Sequence, residues 1–463
     1  MNRVRFFKLL AAIMLLCSAP LNAVYAQELT PAEARAIAKE AYIFGAAYVN
    51  NYRVYLKGPV DKTHVLPVKF NEFLHLRKLV GPEIGDTPNN DTLFSYAILD
   101  LRREPVVISV PKVPKDRLYM LQMGEVNTET LPYISSIATG TDAGDYVIVG
   151  PDYTGYLPAK RFSGVIASHG QFIAVTGRTA INGKEDLPRV SAIQDGYKIT
   201  PLSSFLRIAP PPPATPVNFL PWDKEKASGI GFFDYFNMSF AWQLPTLDEM
   251  PMLARFARIG VVPGERFTTQ GMSAQVVAAL EEGIKDAKQA IAQRSATSQR
   301  DTGGGWEFGT DDISRFGRDY LLRAAISVEN IYPNSPDHAL YARARKDIKG
   351  NPLNGKNQYM IKFGSKELPP VNGFWSLTMY DSRTTAMVPN TLDRYSIGDR
   401  TKELVHDADG SLRICVQRHK PESESCNWLP APEGEFYLIL RLYAPKQEVI
   451  QEGWIPPAIT AKQ

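Results

Sequence analysis

Apolar residues near the start of the chain recur at helical spacing. Ile37, Ala41, Phe44 and Tyr48 stand 4, 3 and 4 positions apart, one face of an α-helix. Thr30 ahead of Pro31 is placed to cap it, and Glu33 to complete a capping box. The pattern predicts a helix over 31–49. The texture then shortens to β-favouring runs at 106–110, 117–123, 145–149 and 171–176, bounded by Pro, Gly, Asp or Asn. Pro105, Pro111 and Pro114 around the first run imply edges or strand ends, not a central ladder position. A helix is expected over 186–195. Val277, Leu280, Ile284, Ala287 and Ile291 restore spacings of 3, 4, 3 and 4, an amphipathic helix too short for a coiled coil. A second helix is expected over 312–331, with Glu307, Asp311 and Asp312 near its start. Strands return at 358–363, 374–380, 412–417 and 435–443. The last is apolar on both faces, which predicts a central strand.

Between these elements the sharpest break is Pro210 to Pro213, a semi-rigid extended linker. Phe219, Trp222, Phe232, Phe233, Tyr235, Phe236, Phe240 and Trp242 crowd the next stretch and are expected to form a wall packed between two domains. Gly303-Gly304-Gly305 reads as a flexible loop. The fold class is mainly β with helical insertions (α+β): two β-sandwich or jelly-roll-like domains with a helical segment between them. The expected division is a leader at 1–26, a helix and lead-in at 27–60, an N-terminal sandwich at 61–208, a linker at 209–245, a helical segment at 246–340 and a C-terminal sandwich at 341–463.

Charge narrows the partners. The chain has 463 residues, with 52 Lys and Arg against 49 Asp and Glu, and its first 26 residues hold Arg3, Arg5 and Lys8 and no acid. The remainder is formally neutral and has no basic block, so nucleic acid is an unfavourable partner. Those 26 residues also carry an apolar stretch and Val24-Tyr25-Ala26 before Gln27, the pattern of a secretory signal peptide. The expected location is periplasmic or secreted, with no stable membrane span after processing. Cys415 and Cys426 are the two cysteines beyond the leader, and in an oxidising compartment a single disulfide between them is expected.

Motif chemistry is sparse. The chain lacks a nucleophile elbow, a His-Glu-x-x-His pair, a Cys-x-x-Cys pair and a phosphate loop. Its six histidines show no metal-ligand spacing, and they are read as structural or surface residues. No metal or cofactor is expected. Two polar–aromatic strings stand out: Asn89 to Tyr96, and Phe374 to Asp381 followed by Pro389-Asn390 and Asp393-Arg394-Tyr395. As one string falls in each sandwich, a site is expected in the cleft between them. Asp91 is its candidate acid or base and Tyr380 its candidate catalytic hydrogen-bond donor. Trp375 would stack, Arg394 would anchor a planar acceptor, and Asn90 and Asn390 would orient the ligand. The bland alternative has Asp91 bracing a turn and Arg394 pairing with Asp393 or another acid. The ligand class is small and polar or glycan-like. The function is either a carboxylate-dependent hydrolase or a non-catalytic envelope protein that binds a ligand or assembles.

Asn90-Asp91-Thr92-Leu93, Leu99-Asp100-Leu101, Gly177-Arg178-Thr179 and Pro201-Leu202-Ser203 resemble the module known as domain of unknown function 1254. Gly373 to Tyr380, Asn427-Trp428-Leu429-Pro430-Ala431-Pro432 and Leu440-Arg441-Leu442-Tyr443 resemble domain of unknown function 1214. The resemblance covers roughly 65–200 and 340–450. It implies two sandwiches with helices between them, frequent secretion and a homo-oligomeric state; it implies no established reaction.

Overall fold

The computed structural model describes residues 29–462 apart from 66, 86, 298–299, 310–312, 330, 423–425 and 452. The leader at 1–26 and the expected start of the second helix at Asp312 lie outside the described residues.

The longer helices are α1 (Pro31–Asn51), α2 (Leu187–Asp195), α3 (Phe232–Phe240), α4 (Met250–Ala257), α5 (Ala274–Ser295) and α6 (Tyr320–Glu329). Helix α1 starts as its sequence dictates. The Thr30 hydroxyl accepts from the Glu33 amide at 3.3 Å, and the Glu33 carboxylate accepts from the Thr30 amide at 3.0 Å. Its apolar face buries Ile37, Ala41, Phe44 and Tyr48 against α3 and α5. Gly283 permits the close crossing of α5, since a Cβ there would lie 2.3 Å from the Arg35 carbonyl oxygen.

The N-terminal strands are β1 (Leu74–His75), β2 (Thr92–Asp100), β3 (Val106–Val110), β4 (Tyr119–Glu125), β5 (Ile134–Ser135), β6 (Gly144–Val149), β7 (Gly164–Ala167), β8 (Phe172–Ala180) and β9 (Lys198–Pro201). They form two sheets, ordered β1-β2-β8-β4-β5 and β7-β6-β3-β9. Leu99, Leu121 and Val175 from the first sheet meet Ile108 and Ile148 from the second in one core. Strand alternation turns Ile98, Phe172 and Ala174 the other way, onto Phe44, Tyr48, Phe236 and Trp242. The aromatic-rich stretch is therefore not a wall between the two sandwiches. Much of it folds as α3 and joins α1 in a helical layer on the first sheet, because that sheet's outer face is itself apolar. Pro210 to Pro213 are free of helix and strand, and Arg103 donates to the Pro211 carbonyl at 2.8 Å.

The C-terminal strands are β10 (Arg300–Gly303), β11 (Trp306–Phe308), β12 (Ala339–Ala344), β13 (Tyr359–Phe363), β14 (Val371–Asp381), β15 (Ser396–Gly398), β16 (Leu412–Gln417), β17 (Asn427–Pro430), β18 (Phe436–Pro445) and β19 (Ile459–Ala461). Their sheets run β10-β11-β12-β18-β14-β15 and β17-β16-β13-β19. The glycine run at 303–305 is not a free loop: it turns the β10–β11 hairpin, with all three glycines at positive φ. All of β18 is buried between β12 and β14, as its two apolar faces require. Cys415 and Cys426 are disulfide-bonded, with Cα atoms 5.8 Å apart.

Parity on β14 organises the junction of the two sandwiches. Trp375, Leu377 and Met379 enter the C-terminal core. Phe374 points the other way and packs, with Tyr443 and Ala339, on Leu118, Met120 and Ala180 of the N-terminal sandwich. Ser376 and Tyr380 share that outward face and bond to the 88–91 segment. Two sheets thus meet across a mixed polar and apolar face.

Candidate functional site

The segment entering β2 is shaped by Asn89, whose side-chain oxygen accepts from the Asp91 amide at 3.1 Å and from the Thr92 amide and hydroxyl at 3.2 Å. Asn89, not Asp91, braces this turn. The Asp91 carboxylate is free to face the C-terminal sandwich. There the Ser376 hydroxyl donates to it at 2.6 Å, and an Arg400 nitrogen stands 3.7 Å from its other oxygen. Asp91 is 5% exposed.

Beside this contact lies a cavity of about 410 Å³ between the two sandwiches. Asn90, Asp91, Asn182 and Lys184 line it from the N-terminal side, and Ser376, Tyr395, Ser396 and Arg400 from the C-terminal side. Arg400 donates to the Ile181 carbonyl and the Asn182 side chain, both at 3.1 Å, and lies 3.4 Å from the Phe374 ring centre. Burial lowers its basicity, which Asp91 opposes. At the rim, Lys184 pairs with Asp393 at 3.0 Å and Tyr395 donates to the same carboxylate at 3.1 Å. The Lys184 hydrogen bond holds the Asp393 carboxyl below its ordinary value. Ser396 donates to the Asn90 side-chain oxygen at 3.3 Å.

Of the residues expected at the site, Asn90, Asp91 and Trp375 line this cavity. Tyr380, Arg394 and Asn390 do not, and Trp375 does not play the part expected of it. Tyr380 is fully buried: its hydroxyl donates to the Pro88 carbonyl and accepts from Arg441 at 2.7 Å, so it clamps the chain ahead of Asn89. Burial pushes its phenol above the ordinary range, and both of its hydrogen bonds are spent within the protein. Trp375 borders the cavity, but its ring packs on Phe363 at 5.5 Å between centres and is no free stacking surface. Arg394 donates to the Trp428 carbonyl at 3.1 Å, within its own sandwich and away from the cavity lining. Asn390 closes a local loop, accepting from the Leu392 and Arg394 amides at 3.1 Å. Tyr395 belongs to the second polar–aromatic string, whereas Ser376, Arg400, Ser396 and Lys184 are cavity residues that the sequence reading does not select. Ser376 lay inside a string already singled out, and parity with Phe374 was the available signal.

A second constellation matches a catalytic relay in distance alone. The Ser135 hydroxyl is 3.0 Å from His338 Nε2, and Asp337 is 3.0 Å from Nδ1. Ser135 is 0% exposed and accepts from the Ala138 amide, and the Tyr133 ring stacks on His338 at 3.6 Å. No substrate reaches a serine sealed in this way. Among the described residues, no group of three or more His, Cys, Asp or Glu could hold a metal ion.

His75 supports the structural reading of the histidines. Burial, with Arg77 nearby, lowers its pKa to about 4, and the Ser95 hydroxyl lies 2.8 Å from Nδ1. The folded ring is neutral where the unfolded one, titrating near 6.5, takes a proton. Stability is then flat above pH 6.5 and falls as pH drops from 6.5 towards about 4. The loss is expected to be on the order of 2 kcal/mol, allowing for solvent around a half-buried ring. Urea unfolding across this range checks it, and His75→Gln should flatten the slope; an unchanged slope would exclude His75.

Family models match two stretches of the chain: a protein of unknown function, DUF1254, over residues 70–201, and a protein of unknown function, DUF1214, over residues 338–447. The chain belongs to the family that joins these two modules. The cavity lies at their junction, with Asn90 and Asp91 from the first module and Ser376 and Arg400 from the second. The VPA0106 protein from Vibrio parahaemolyticus has a similar structure, with a TM-score of 0.73 and 24% identity, covering 93% of this chain and 100% of that one. That likeness is one of fold. An uncharacterised protein from Burkholderia cenocepacia aligns at a TM-score of 0.43 and 12% identity, over 92% of this chain and 88% of that one. No match is found among curated proteins. No helix among the described residues is long and apolar enough to cross a membrane.

Proposed function

We propose that the cleft between the two modules binds a small, uncharged, hydroxyl-rich ligand of glycan-like type. The observation that carries this reading is the internal pairing of the wall's charges. Asp91 faces Arg400, and Asp393 faces Lys184. An anionic ligand would have to break one of these pairs and would meet Glu83, the lining carboxylate outside them. A neutral one can use the further donor and acceptor capacity of the hydroxyls and amides along the wall: Ser376, Ser396, Tyr395, Asn90 and Asn182. The volume suits a small ligand, and the modules' sheets fix both walls. The basic, apolar leader and the disulfide support an exported setting, periplasmic or secreted.

A second reading, hydrolysis, rests on Glu83, which also lines the cleft and supplies a carboxylate outside the two ion pairs. Calorimetric titration of neutral and uronic mono- and disaccharides tests the binding. Saturable binding of a neutral sugar is expected, weakened at least about tenfold by Asn90→Ala with Ser396→Ala. Equal binding of the uronates, or no saturation by any neutral sugar, would overturn it. Turnover lost in both Asp91→Asn and Glu83→Gln, with binding kept, would establish the hydrolase.

A further inference from the structure

Outside the inter-module cleft, the helical layer contains a larger cavity of about 610 Å³. Its walls are apolar and small-residue-rich. Tyr42, Ala46 and Val49 come from α1, Ile291 and Ala292 from α5, and Phe232 from α3. The Tyr42 and Phe232 rings stack at 4.1 Å between centres, which gives one wall a flat aromatic surface. Ala46 and Ala292 leave the space that longer side chains would fill.

The polar border has one sign in excess. Arg53, Lys224 and Lys288 line the cavity and are exposed, and among the described residues no carboxylate stands within 4.0 Å of any of them. Neighbouring cations of the same layer are paired: Arg35 with Asp286, Arg255 with Glu40, and Arg294 with Asp319. Lys288 spends one N–H on the Ser228 carbonyl and lies 5.9 Å from the Tyr42 ring centre. The lining carboxylate, Glu329, accepts from Ser295 instead. An apolar body edged by three cations with no ion-pair partner among the described residues complements an anionic amphiphile.

We propose that this groove binds a monomeric medium-chain carboxylate. The chain lies along Tyr42, Ala46, Phe232 and Ile291, and the carboxylate lies among Arg53, Lys224 and Lys288. A concave groove between helices encloses a single chain, whereas attachment to a bilayer calls for a protruding or flat basic surface. The site is independent of the inter-module cleft, with which it shares no lining residue.

Titration of the full chain with dodecanoate below its micellar concentration, followed by calorimetry and tryptophan fluorescence, tests this. Saturable binding is expected, with dodecanol at least about tenfold weaker. Ala292→Trp, at an exposed position on the groove, should abolish it. Arg53→Glu with Lys224→Glu should weaken dodecanoate at least about tenfold while leaving dodecanol unchanged. The charge variants keep the proposal testable should Ala292→Trp fail to fold. No saturation by dodecanoate, equal affinity for dodecanol, or attachment to phosphatidylglycerol vesicles without uptake of the monomer would overturn it.

Discussion

Asp91→Ala is expected to lower stability by about 3 kcal/mol, the low end of the range for breaking a buried ion pair, because Arg400 is partly exposed. Asp91 is almost wholly buried and is the carboxylate beside Arg400. Its charge also supports buried Arg441 further along the same interface. Alanine would leave the Arg400 cation with only the weaker support of Asp399 and the Ser376 hydroxyl without its acceptor. Asp91→Asn keeps an oxygen for Ser376 and should cost less. The double variant Asp91→Ala with Arg400→Met separates charge from packing. If the loss comes from an uncompensated cation, the double variant should recover part of it, giving a coupling of about 1 kcal/mol or more. Urea midpoints for the four proteins of the cycle supply the measurement. An unchanged midpoint for Asp91→Ala would show that this contact does not hold the modules together, and would return Asp91 to a purely ligand-directed role.

The sequence carried more of the scaffold than of the site, for physical reasons that differ by element. The Thr30–Glu33 box and the periodicity of α5 are local, so their patterns survive in the bare chain. Strand β18 announced its central place because both faces are apolar. Strand β2 stayed hidden because buried Ser95 and small Ala97 interrupt its core face. Leu93, Ala97 and Leu99 face one way while Phe94, Tyr96 and Ile98 meet aromatic or helical partners on the other, so no alternation marks it as a strand. For the site, locating it between the modules and choosing Asn90 and Asp91 needed only side-chain chemistry and the turn signal. Choosing Trp375 over Ser376 needed to know which face of β14 looks outward, and that is set by the partner sheet. Arg400 gave no local signal at all. Its role arises because β15 delivers it beside Phe374 and Asp91.

That dependence on β15 makes Gly398→Ala the second large effect. Strand β15 pairs with β14 through Ser376 and Gly398, and the next residues bring Arg400 and Thr401 to the cleft. A Cβ at position 398 would stand 2.1 Å from the Trp375 carbonyl oxygen and 3.1 Å from the Ser376 Cα. Both are backbone atoms of β14, which the C-terminal core holds in place through Trp375 and Leu377. The clash must be relieved by moving β15, and with it Ser396 and Arg400. The expected cost is about 3 kcal/mol, the upper part of the range for overpacking a buried position. The Arg400 contact with Asp91 should weaken as well, so Gly398→Ala should make a following Asp91→Ala less damaging than it is alone. Gly434→Ala is the control, since nothing lies within 4 Å of a Cβ there. Its urea midpoint should match that of the native chain. Equal midpoints for the two glycine variants would mean that β15 yields freely, and the cleft would then be a soft surface loop, not a preformed site.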